Sequence, residues 1–262
     1  MEFDPLKRFW IIPILLIALS GCSTKPRCSD HPENKCTRIL FIGNSYTYVN
    51  DLPGMFADLA ASGKHPVETR TLAEGGWTLA DHVNDKNTLP TIQSEKWDYV
   101  VLQEQSEIPA IDSSRVAGMY PAARSLVRMI EENGETPMFF LTWAHQGGDP
   151  QFGFNDYDSM QNQTVVGYLA IARELGVPVA PAGYAWWTAR KQYPDIALWQ
   201  SDGSHPTVNG AYLAACVFYA AIFHESPEGL AFTAQIPKKT AQTLQSVAAK
   251  AVLDDPQEWN LP

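Results

Sequence analysis

Cysteine is scarce in this chain of 262 residues, which contains only Cys22, Cys28, Cys36 and Cys216. No two of them form a Cys-x-x-Cys pair, and no cluster of histidine and cysteine has the spacing of a zinc site. We therefore predict no metal ion. The sequence also lacks internal repeats and low-complexity segments, which excludes the repeat architectures.

Positive charge is also limited. The chain has 19 lysines and arginines but 29 aspartates and glutamates, so its formal net charge is −10. An acidic surface repels phosphate backbones, which argues against nucleic acid as a partner held by bulk electrostatics. A hydrophobic content of 45% is nevertheless enough for one sizeable core.

The N-terminal apolar run, residues 9–19, is too short to span a bilayer. Lys7 and Arg8 precede it, and Leu-Ser-Gly-Cys follows, ending at Cys22. This order is typical of a secretory signal and resembles a bacterial lipobox. It implies that residues 1–21 are a signal peptide and that Cys22 is lipidated. Ser23 resembles the sorting pattern of the Gram-negative outer membrane. The alternatives are an uncleaved anchor or a plain signal peptide.

Residues 22–36 are polar, contain two prolines, and are predicted to be a tether to a domain of residues 37–262. In an oxidising compartment, Cys28 and Cys36 could form a local disulfide, or they could remain two free thiols. Cys216 lies in an apolar helical stretch and is predicted to be inert core.

Short apolar runs alternate with helix-length segments after residue 37. The runs are rich in Val, Ile, Leu, Phe or Thr, which predicts strands at 38–43, 67–73, 98–103, 137–143 and 177–181. The predicted helices are 51–62, 79–85, 114–133, 160–175, 184–192, 207–224 and 239–254. This alternation predicts one three-layer α/β/α domain, in which a five-stranded parallel sheet is covered by helices on both faces.

Polar residues follow the predicted strands, at the edge where ligands bind in parallel sheets. Ser45 ends the triplet after the first strand, and Asp202 and His205 stand three residues apart before a predicted helix. A serine becomes nucleophilic when a histidine takes its proton and a carboxylate orients that histidine. The sequence thus predicts a triad. Taken singly, Ser45 could be a turn or N-cap residue, Asp202 a helix cap and His205 a surface residue.

The tetrahedral intermediate of such a reaction needs hydrogen-bond donors for its oxyanion. The backbone N–H of Ser45 is one candidate. That of Gly76 is another, because it follows the second strand and glycine allows close backbone approach. A side-chain amide after the third strand would be a third donor.

These blocks resemble those of the SGNH hydrolase superfamily, which includes the GDSL esterases. Gly43-Asn44-Ser45 matches the first block, Gly76, favoured over Gly75, matches the second, and Asp202-x-x-His205 matches the last. The resemblance covers about residues 38–224. It implies the flavodoxin-like fold of that superfamily and an esterase-like activity, here in a secreted bacterial lipoprotein.

The third block departs from the family pattern. The family has Gly-x-Asn after the third strand, with the asparagine amide in the oxyanion hole, whereas this chain has Gln103-Glu104-Gln105-Ser106. Gln105 is the expected replacement donor, because glutamine carries the same amide on a longer side chain. Gln103 is the second choice.

Other side chains near the strand ends could contact substrate. The candidates are Asn44, Trp77, Trp143 and His145, with Tyr46, Tyr48, Trp186, Trp187, Glu104 and Glu107 nearby. Each aromatic residue could instead pack in the core or anchor a loop, and His145 could be structural. His65 and His82 are predicted to be exposed loop or helix residues.

The resemblance implies a serine esterase that works through an acyl-serine and needs no cofactor. By analogy with the family, the expected substrate is the O-acetyl group of a carbohydrate, in a small molecule or a polysaccharide. Alternatives are a lipase or thioesterase for longer acyl chains, a flavodoxin-like protein with a phosphate-binding loop at 43–47, and a non-catalytic carbohydrate-binding protein. The expected membrane contact is the lipid at Cys22, and the oligomeric state stays open.

The lipid anchor can be tested by replacing Cys22 with alanine. Because the acyl chains supply the membrane affinity, Cys22→Ala should move the protein from the membrane fraction to a soluble or unprocessed form. Cell fractionation and blotting measure this, with Cys216→Ala as the control that should stay with membranes. Recovery of Cys22→Ala in membranes at its mature size would contradict the anchor.

Overall fold

The computed structural model describes Cys28 and residues 36–262. The expected signal peptide at 1–21, the lipidation site at Cys22 and the remainder of the tether lie outside the described residues. Cys28 and Cys36 form a disulfide, with their Cα atoms 5.2 Å apart. Within the described part of the chain, no helix is both long and apolar enough to cross a membrane.

Five strands form one parallel sheet in the order β2-β1-β3-β4-β5. Their bounds are β1 Thr37–Gly43, β2 Val67–Ala73, β3 Tyr99–Leu102, β4 Thr136–Phe140 and β5 Val179–Ala180. This confirms the predicted sheet, although β4 ends three residues earlier than predicted. The order is that of flavodoxin-like folds, whose ligands bind at the carboxyl ends of the strands.

β1 lies between β2 and β3, and its position in the sheet follows from its composition. Ile39, Leu40, Phe41 and Ile42 are fully buried, as expected for a continuous apolar run covered on both faces. In the register, Phe41 lies opposite Thr71 of β2 and Val101 of β3. The strand therefore delivers the residues after Gly43 to the middle of the ligand-binding edge.

The helices alternate with the strands. Their bounds are α1 Ser45–Tyr48, α2 Leu52–Ser62, α3 Leu79–Asn84, α4 Thr88–Ser94, α5 Asp112–Ser114, α6 Tyr120–Glu132, α7 Tyr157–Leu175, α8 Ala182–Gln192, α9 Val208–Phe223 and α10 Lys238–Leu253. A π-helical turn, Arg115–Met119, joins α5 to α6. Shorter 3-10 turns cover Val49–Asp51, Pro150–Phe152 and Pro256–Trp259.

Two neighbouring residues of β4 show how both faces of the sheet are covered. Successive side chains of a strand point to opposite faces. The Phe140 ring meets Phe218 of α9 edge-on at 4.9 Å, and the Phe139 ring meets Tyr168 of α7 edge-on at 6.3 Å. Phe41 also packs on Phe218, at 5.2 Å. The predicted three-layer architecture is confirmed.

The helices differ from the sequence prediction in several places; α7, for example, begins at Tyr157 and not at residue 160. The predicted helix at 114–133 begins earlier, at Asp112, and contains the π turn. α4 was not predicted, and it carries Pro90 within a short polar stretch. Finally, helical structure begins at Ser45 and not at residue 51, so the candidate nucleophile stands at the start of a helical turn.

Candidate active site

Ser45 is the first residue of α1, two residues after the last residue of β1. Asn44 caps this turn, because its Oδ1 accepts from the N–H of Tyr46 at 3.0 Å. Its Nδ2 donates to the carbonyl of Trp77 at 2.9 Å, and the side chain is almost fully buried. Both ends of the Asn44 amide are thus engaged within the protein. The side chain thus fixes the serine turn; Asn44 also lines the cavity described below, and its expected contact with substrate stays a prediction.

Gln103, directly after β3, holds the same turn from the other side. Its Oε1 accepts from the N–H of Asn44 and from the hydroxyl of Thr47, both at 2.8 Å, and the residue is fully buried. A Cβ at Gly43 would stand only 2.4 Å from that oxygen, which explains the glycine of the first block. The second choice of oxyanion donor, Gln103, is therefore wrong. Its side-chain oxygen accepts the two bonds just described, and its Nε2 donates to the carbonyl of Glu104.

The three residues of the predicted triad lie together. Asp202 Oδ1 accepts from the N–H groups of Ser204 and His205, at 2.9 and 3.0 Å. The Ser204 bond and then the His205 side chain lower the pKa of Asp202, so its carboxylate is an acceptor at neutral pH. His205 Nδ1–H consequently donates to Asp202 Oδ2, at 2.7 Å. That tautomer leaves the lone pair of Nε2 facing Ser45 Oγ, at 2.9 Å.

The turn that carries Asp202 and His205 is fixed by its backbone. Gln200 N–H donates to the His205 carbonyl at 2.8 Å, and Gly203, at a φ of +68°, allows the chain to reverse. Gln146 N–H donates to the Gly203 carbonyl at 2.7 Å, which ties the turn to the loop after β4. The aspartate and histidine are thus positioned before α9 begins.

A column of aromatic rings supports this turn from below. Tyr46 stacks on Trp143 at 4.7 Å, and Trp143 stacks on Trp186 at 3.9 Å. Trp143 Nε1–H donates to the Ser204 carbonyl at 3.0 Å, and the Tyr46 hydroxyl lies 2.7 Å from Ser204 Oγ. Trp143 and Trp186 are fully buried. The predicted role of Trp143 in substrate binding is therefore wrong, because its ring has no free surface.

His82 was expected to be exposed, but only 1% of it is accessible. Its Nε2–H donates to the carbonyl of Gly43 at 2.7 Å. Burial lowers the pKa of His82, so the imidazole that donates this hydrogen bond is neutral. Trp77 packs edge-on against it at 5.0 Å. Sequence reasoning missed this contact because nothing in the local pattern of α3 shows which face is buried.

A cavity of about 460 Å³ opens beside Ser45 and His205. Its walls include Gly76, Gln105, Ser106, Glu107 and His145. None of the described residues that line it has an aliphatic side chain, and Trp77 is not among them. The three predicted oxyanion donors, from Ser45, Gly76 and Gln105, all line this cavity. Gly76 has a φ of +75°, a conformation that a residue with a Cβ rarely adopts.

The Gln105 amide has a defined orientation. Its Oε1 accepts from the N–H of Glu107 at 2.8 Å and from that of Ile108 at 3.3 Å. Two backbone donors fix which end of the amide is the oxygen, so Nε2 is the other end, 3.4 Å from Ser106 Oγ. A preorganised N–H donor at the cavity wall is what an oxyanion hole requires. The role of Gln105 nevertheless stays a prediction.

His145 lies on the same wall, with Nε2 at 3.2 Å from Ser106 Oγ. Together with Glu107 and Asp149 it places ligand-type atoms within 4.8 Å of one another. Carboxylates and an imidazole could hold a divalent cation. Glu107 lies in the loop after β3, whereas His145 and Asp149 both lie in the loop after β4, so the sequence did not show that the three side chains meet. The reaction proposed below uses no metal at this cluster.

Glu104 is a fully buried carboxyl next to this wall. Its Oε1 accepts from the N–H of Leu79 at 3.1 Å and of Gln105 at 2.7 Å, whereas no described group bonds to its Oε2. Burial raises the pKa of Glu104 to about 7, although the two N–H donors oppose the shift. A carboxyl with this pKa beside the cavity that contains Ser45 and His205 is a candidate functional group.

Comparisons with known proteins agree with this geometry. The model of the family described as Domain of unknown function (DUF4886) matches residues 81–253, a segment that contains Asp202 and His205 but begins after Ser45. A protein from Slackia heliotrinireducens classed as an SGNH hydrolase is 30% identical, with a TM-score of 0.62; the match covers 71% of this chain and 99% of that one. No curated protein matches the sequence.

Two further solved structures share the fold. A DUF4886 family protein from Bacteroides uniformis is 23% identical, with a TM-score of 0.72, over 83% of this chain and 95% of its own. A catalytic mutant of an acetylxylan esterase from Geobacillus stearothermophilus is 19% identical, with a TM-score of 0.52, over 70% of this chain and 92% of its own.

The raised pKa of Glu104 predicts a pH-dependent cost to stability. Below pH 4.5 the Glu104 carboxyl is protonated in both the folded and the unfolded state. Between pH 4.5 and 7 it loses its proton in the unfolded state but keeps it in the folded state. The free energy of unfolding of the wild type therefore falls as the pH rises through this range. Glu104→Gln cannot ionise. The free energy of unfolding of this variant minus that of the wild type should therefore grow by about 3 kcal/mol between pH 4 and 8. Urea denaturation at several pH values measures it, and a constant difference would contradict the shift.

Proposed function

Because this chain belongs to the DUF4886 family and to the SGNH hydrolases, we propose that it is a serine esterase that removes short acyl groups, above all acetyl, from carbohydrate hydroxyls. The observation that carries the proposal is the continuous path Ser45 Oγ–His205 Nε2 at 2.9 Å and His205 Nδ1–Asp202 Oδ2 at 2.7 Å. This path opens onto a cavity large enough for a small ligand.

In the first half of the reaction, Ser45 Oγ attacks the ester carbonyl carbon while its proton passes to His205 Nε2. The carboxylate of Asp202 stabilises the resulting imidazolium through Nδ1–H. The bond from the carbonyl carbon to the alcohol oxygen then breaks, and His205 returns the proton to that oxygen. The alcohol leaves, and the acyl group stays on Ser45.

In the second half, water attacks the acyl-serine while His205 accepts one of its protons. Collapse of this second intermediate breaks the bond to Oγ, and His205 protonates the serine as the carboxylic acid leaves. Each intermediate carries an oxyanion, for which the N–H groups of Ser45 and Gly76 and the Nε2 of Gln105 are the proposed donors. The reaction needs no cofactor.

The cavity wall combines tyrosine rings with hydrogen-bonding groups, and this combination supports a short acyl chain and a hydroxyl-rich alcohol. A lipase or thioesterase needs an apolar surface for its acyl chain, and no aliphatic side chain lines the described cavity. Hydroxyl, carboxylate and imidazole groups of Ser106, Glu107 and His145 are suited to sugar hydroxyls. The similarity to an acetylxylan esterase, together with the expected lipid anchor at Cys22, supports a polysaccharide or oligosaccharide ester at the cell envelope.

The flavin-binding alternative is disfavoured by the serine turn itself. A phosphate loop would need its amides and hydroxyls free to contact phosphate oxygens. Here the Asn44 N–H and the Thr47 hydroxyl both donate to Gln103, and Asn44 Nδ2 donates to Trp77. The groups that made the sequence resemble a phosphate loop are used to hold Ser45.

The substrate proposal is tested with p-nitrophenyl esters of increasing acyl length and with acetylated oligosaccharides. We expect kcat/KM to be highest for acetyl and to fall steeply towards octanoyl, because no aliphatic side chain lines the described cavity to receive a longer chain. Ser45→Ala should lower kcat roughly 10⁴-fold or more while leaving the fold intact. Preference for octanoyl would support the lipase alternative instead.

The cavity contains a second serine next to a histidine, and this provides a direct comparison. Ser106 lies 3.2 Å from His145, but no described carboxylate bonds to that imidazole. Ser106→Ala should therefore lower kcat far less than Ser45→Ala does. If Ser106→Ala abolished turnover and Ser45→Ala did not, the assignment of the nucleophile would be wrong.

The oxyanion role of Gln105 predicts a specific kinetic effect. Gln105→Ala should lower kcat by roughly 10²–10³-fold, about 3–4 kcal/mol, with little change in KM, because the lost donor acts mainly in the transition state. Gln105→Glu should be at least as harmful, because it replaces the donor with an acceptor. Steady-state kinetics on an acetyl ester measure both. A near-normal kcat in Gln105→Ala would leave the oxyanion to backbone donors alone.

A further inference from the structure

Two of the three proposed oxyanion donors lie on loops, and one buried carboxyl joins those two loops. The loop after β2 contains Gly76 and continues into α3 at Leu79, while the loop after β3 contains Gln105. Glu104 Oε1 accepts from the N–H of Leu79 at 3.1 Å and from that of Gln105 at 2.7 Å. No other described side chain bonds to both loops in this way.

The same residue is fixed along its backbone. Its N–H donates to the hydroxyl of Tyr168 in α7 at 3.0 Å, and its carbonyl accepts from Gln103 Nε2. Gln103 in turn holds the Ser45 turn through Asn44. Glu104 is therefore connected by short, buried hydrogen bonds to all three segments that supply the proposed oxyanion donors.

We infer that Glu104 is a positioning residue of the esterase reaction: its carboxyl oxygen sets the spacing between the Gly76 and Gln105 loops and so completes the oxyanion hole. This inference rests on the proposed function. In this chain the glutamate occupies the middle of the block that departs from the family pattern. Errors of about 1 Å in such a spacing can cost on the order of 10²-fold in rate.

Burying a carboxyl lowers the stability of the fold, which argues against a purely structural role for Glu104. Burial penalises its charge, the nearby charge of Asp81 adds to the penalty, and its Oε2 has no bonding partner among the described residues. An apolar side chain of the same size would avoid these costs. What only an oxygen can provide is the acceptor for two backbone N–H groups from different loops.

A second buried glutamate provides a matched control for substitutions of Glu104. Glu135 is a second buried carboxyl, with Oε1 bonded to Trp97 N–H at 3.1 Å and to Asn133 Nδ2 at 2.8 Å, and with Oε2 unpaired among the described residues. It precedes β4, at the amino ends of the strands, so it lies at the opposite edge of the sheet from Ser45.

The test compares Glu104→Met and Glu104→Gln with Glu135→Met and Glu135→Gln, all of similar volume. Methionine removes the acceptor, whereas glutamine keeps one. Active sites are counted from the stoichiometric release of p-nitrophenol by diethyl p-nitrophenyl phosphate, and kcat per site is measured on p-nitrophenyl acetate. We expect Glu104→Met to lower kcat per site roughly 10- to 100-fold with KM nearly unchanged, and Glu104→Gln to recover most of that loss.

Both Glu135 variants should keep kcat per site within about twofold of the wild type, whatever their stability. A Glu104→Met enzyme with a wild-type kcat per site, or an equal loss in Glu135→Met, would overturn the inference. Hydrogen exchange of peptides covering 76–80 and 104–108 gives a readout that needs no turnover: faster exchange in Glu104→Met supports the link between the loops, and unchanged exchange rejects it. An inactive wild type would count against the proposed function, and the exchange result would still decide the link.

Discussion

The position of Ser45 depends on the side-chain oxygen of Gln103, which accepts two hydrogen bonds. The oxygen binds the Asn44 N–H and the Thr47 hydroxyl, and so it spans the first residues after β1. Gly43 has no side chain because that oxygen occupies the place where a Cβ would stand. His82 fixes the carbonyl of the same glycine from the other side. The serine turn is thus held by a buried group directly after β3 and by another from α3, while Ser45 itself lines the cavity.

The aromatic residues at this edge of the sheet were expected to contact substrate, but the buried ones hold the turn that carries Asp202 and His205. Tyr46, Trp143 and Trp186 form a stacked column, and Tyr46 and Trp143 both bond to Ser204 in the turn between Asp202 and His205. Burial raises the pKa of Tyr46 well above its ordinary value, so its hydroxyl stays neutral. The column therefore fixes the turn without introducing charge beneath it. In the proposed reaction, substrate contacts the side chains of the loops after β3 and β4.

The sequence predicted the sheet because each strand is a short apolar run bounded by polar residues, and a parallel sheet buries such runs on both faces. It also predicted Ser45, Asp202 and His205, and the fold brings His205 within hydrogen-bonding distance of both Asp202 and Ser45. It could not predict that His82 and Trp143 are buried, because burial at those positions depends on elements distant in the chain. The same reason hid Glu104: a glutamate after a strand has the composition of a solvated loop, and only the packing of α3 and α7 encloses it.

The proposed role of Glu104 can be compared with the position of Glu135. Their chemistry is nearly the same, since each has one oxygen bonded twice, one oxygen unpaired and a pKa raised by burial. Their partners differ. Glu135 binds Trp97 and Asn133 at the amino ends of the strands, where a parallel sheet binds no ligand. Glu104 binds two loops at the carboxyl ends, and each of those loops lines the cavity beside Ser45. Burying either carboxyl thus costs free energy for the same reason. Only the loops that Glu104 holds in place lie where a reacting ester would bind.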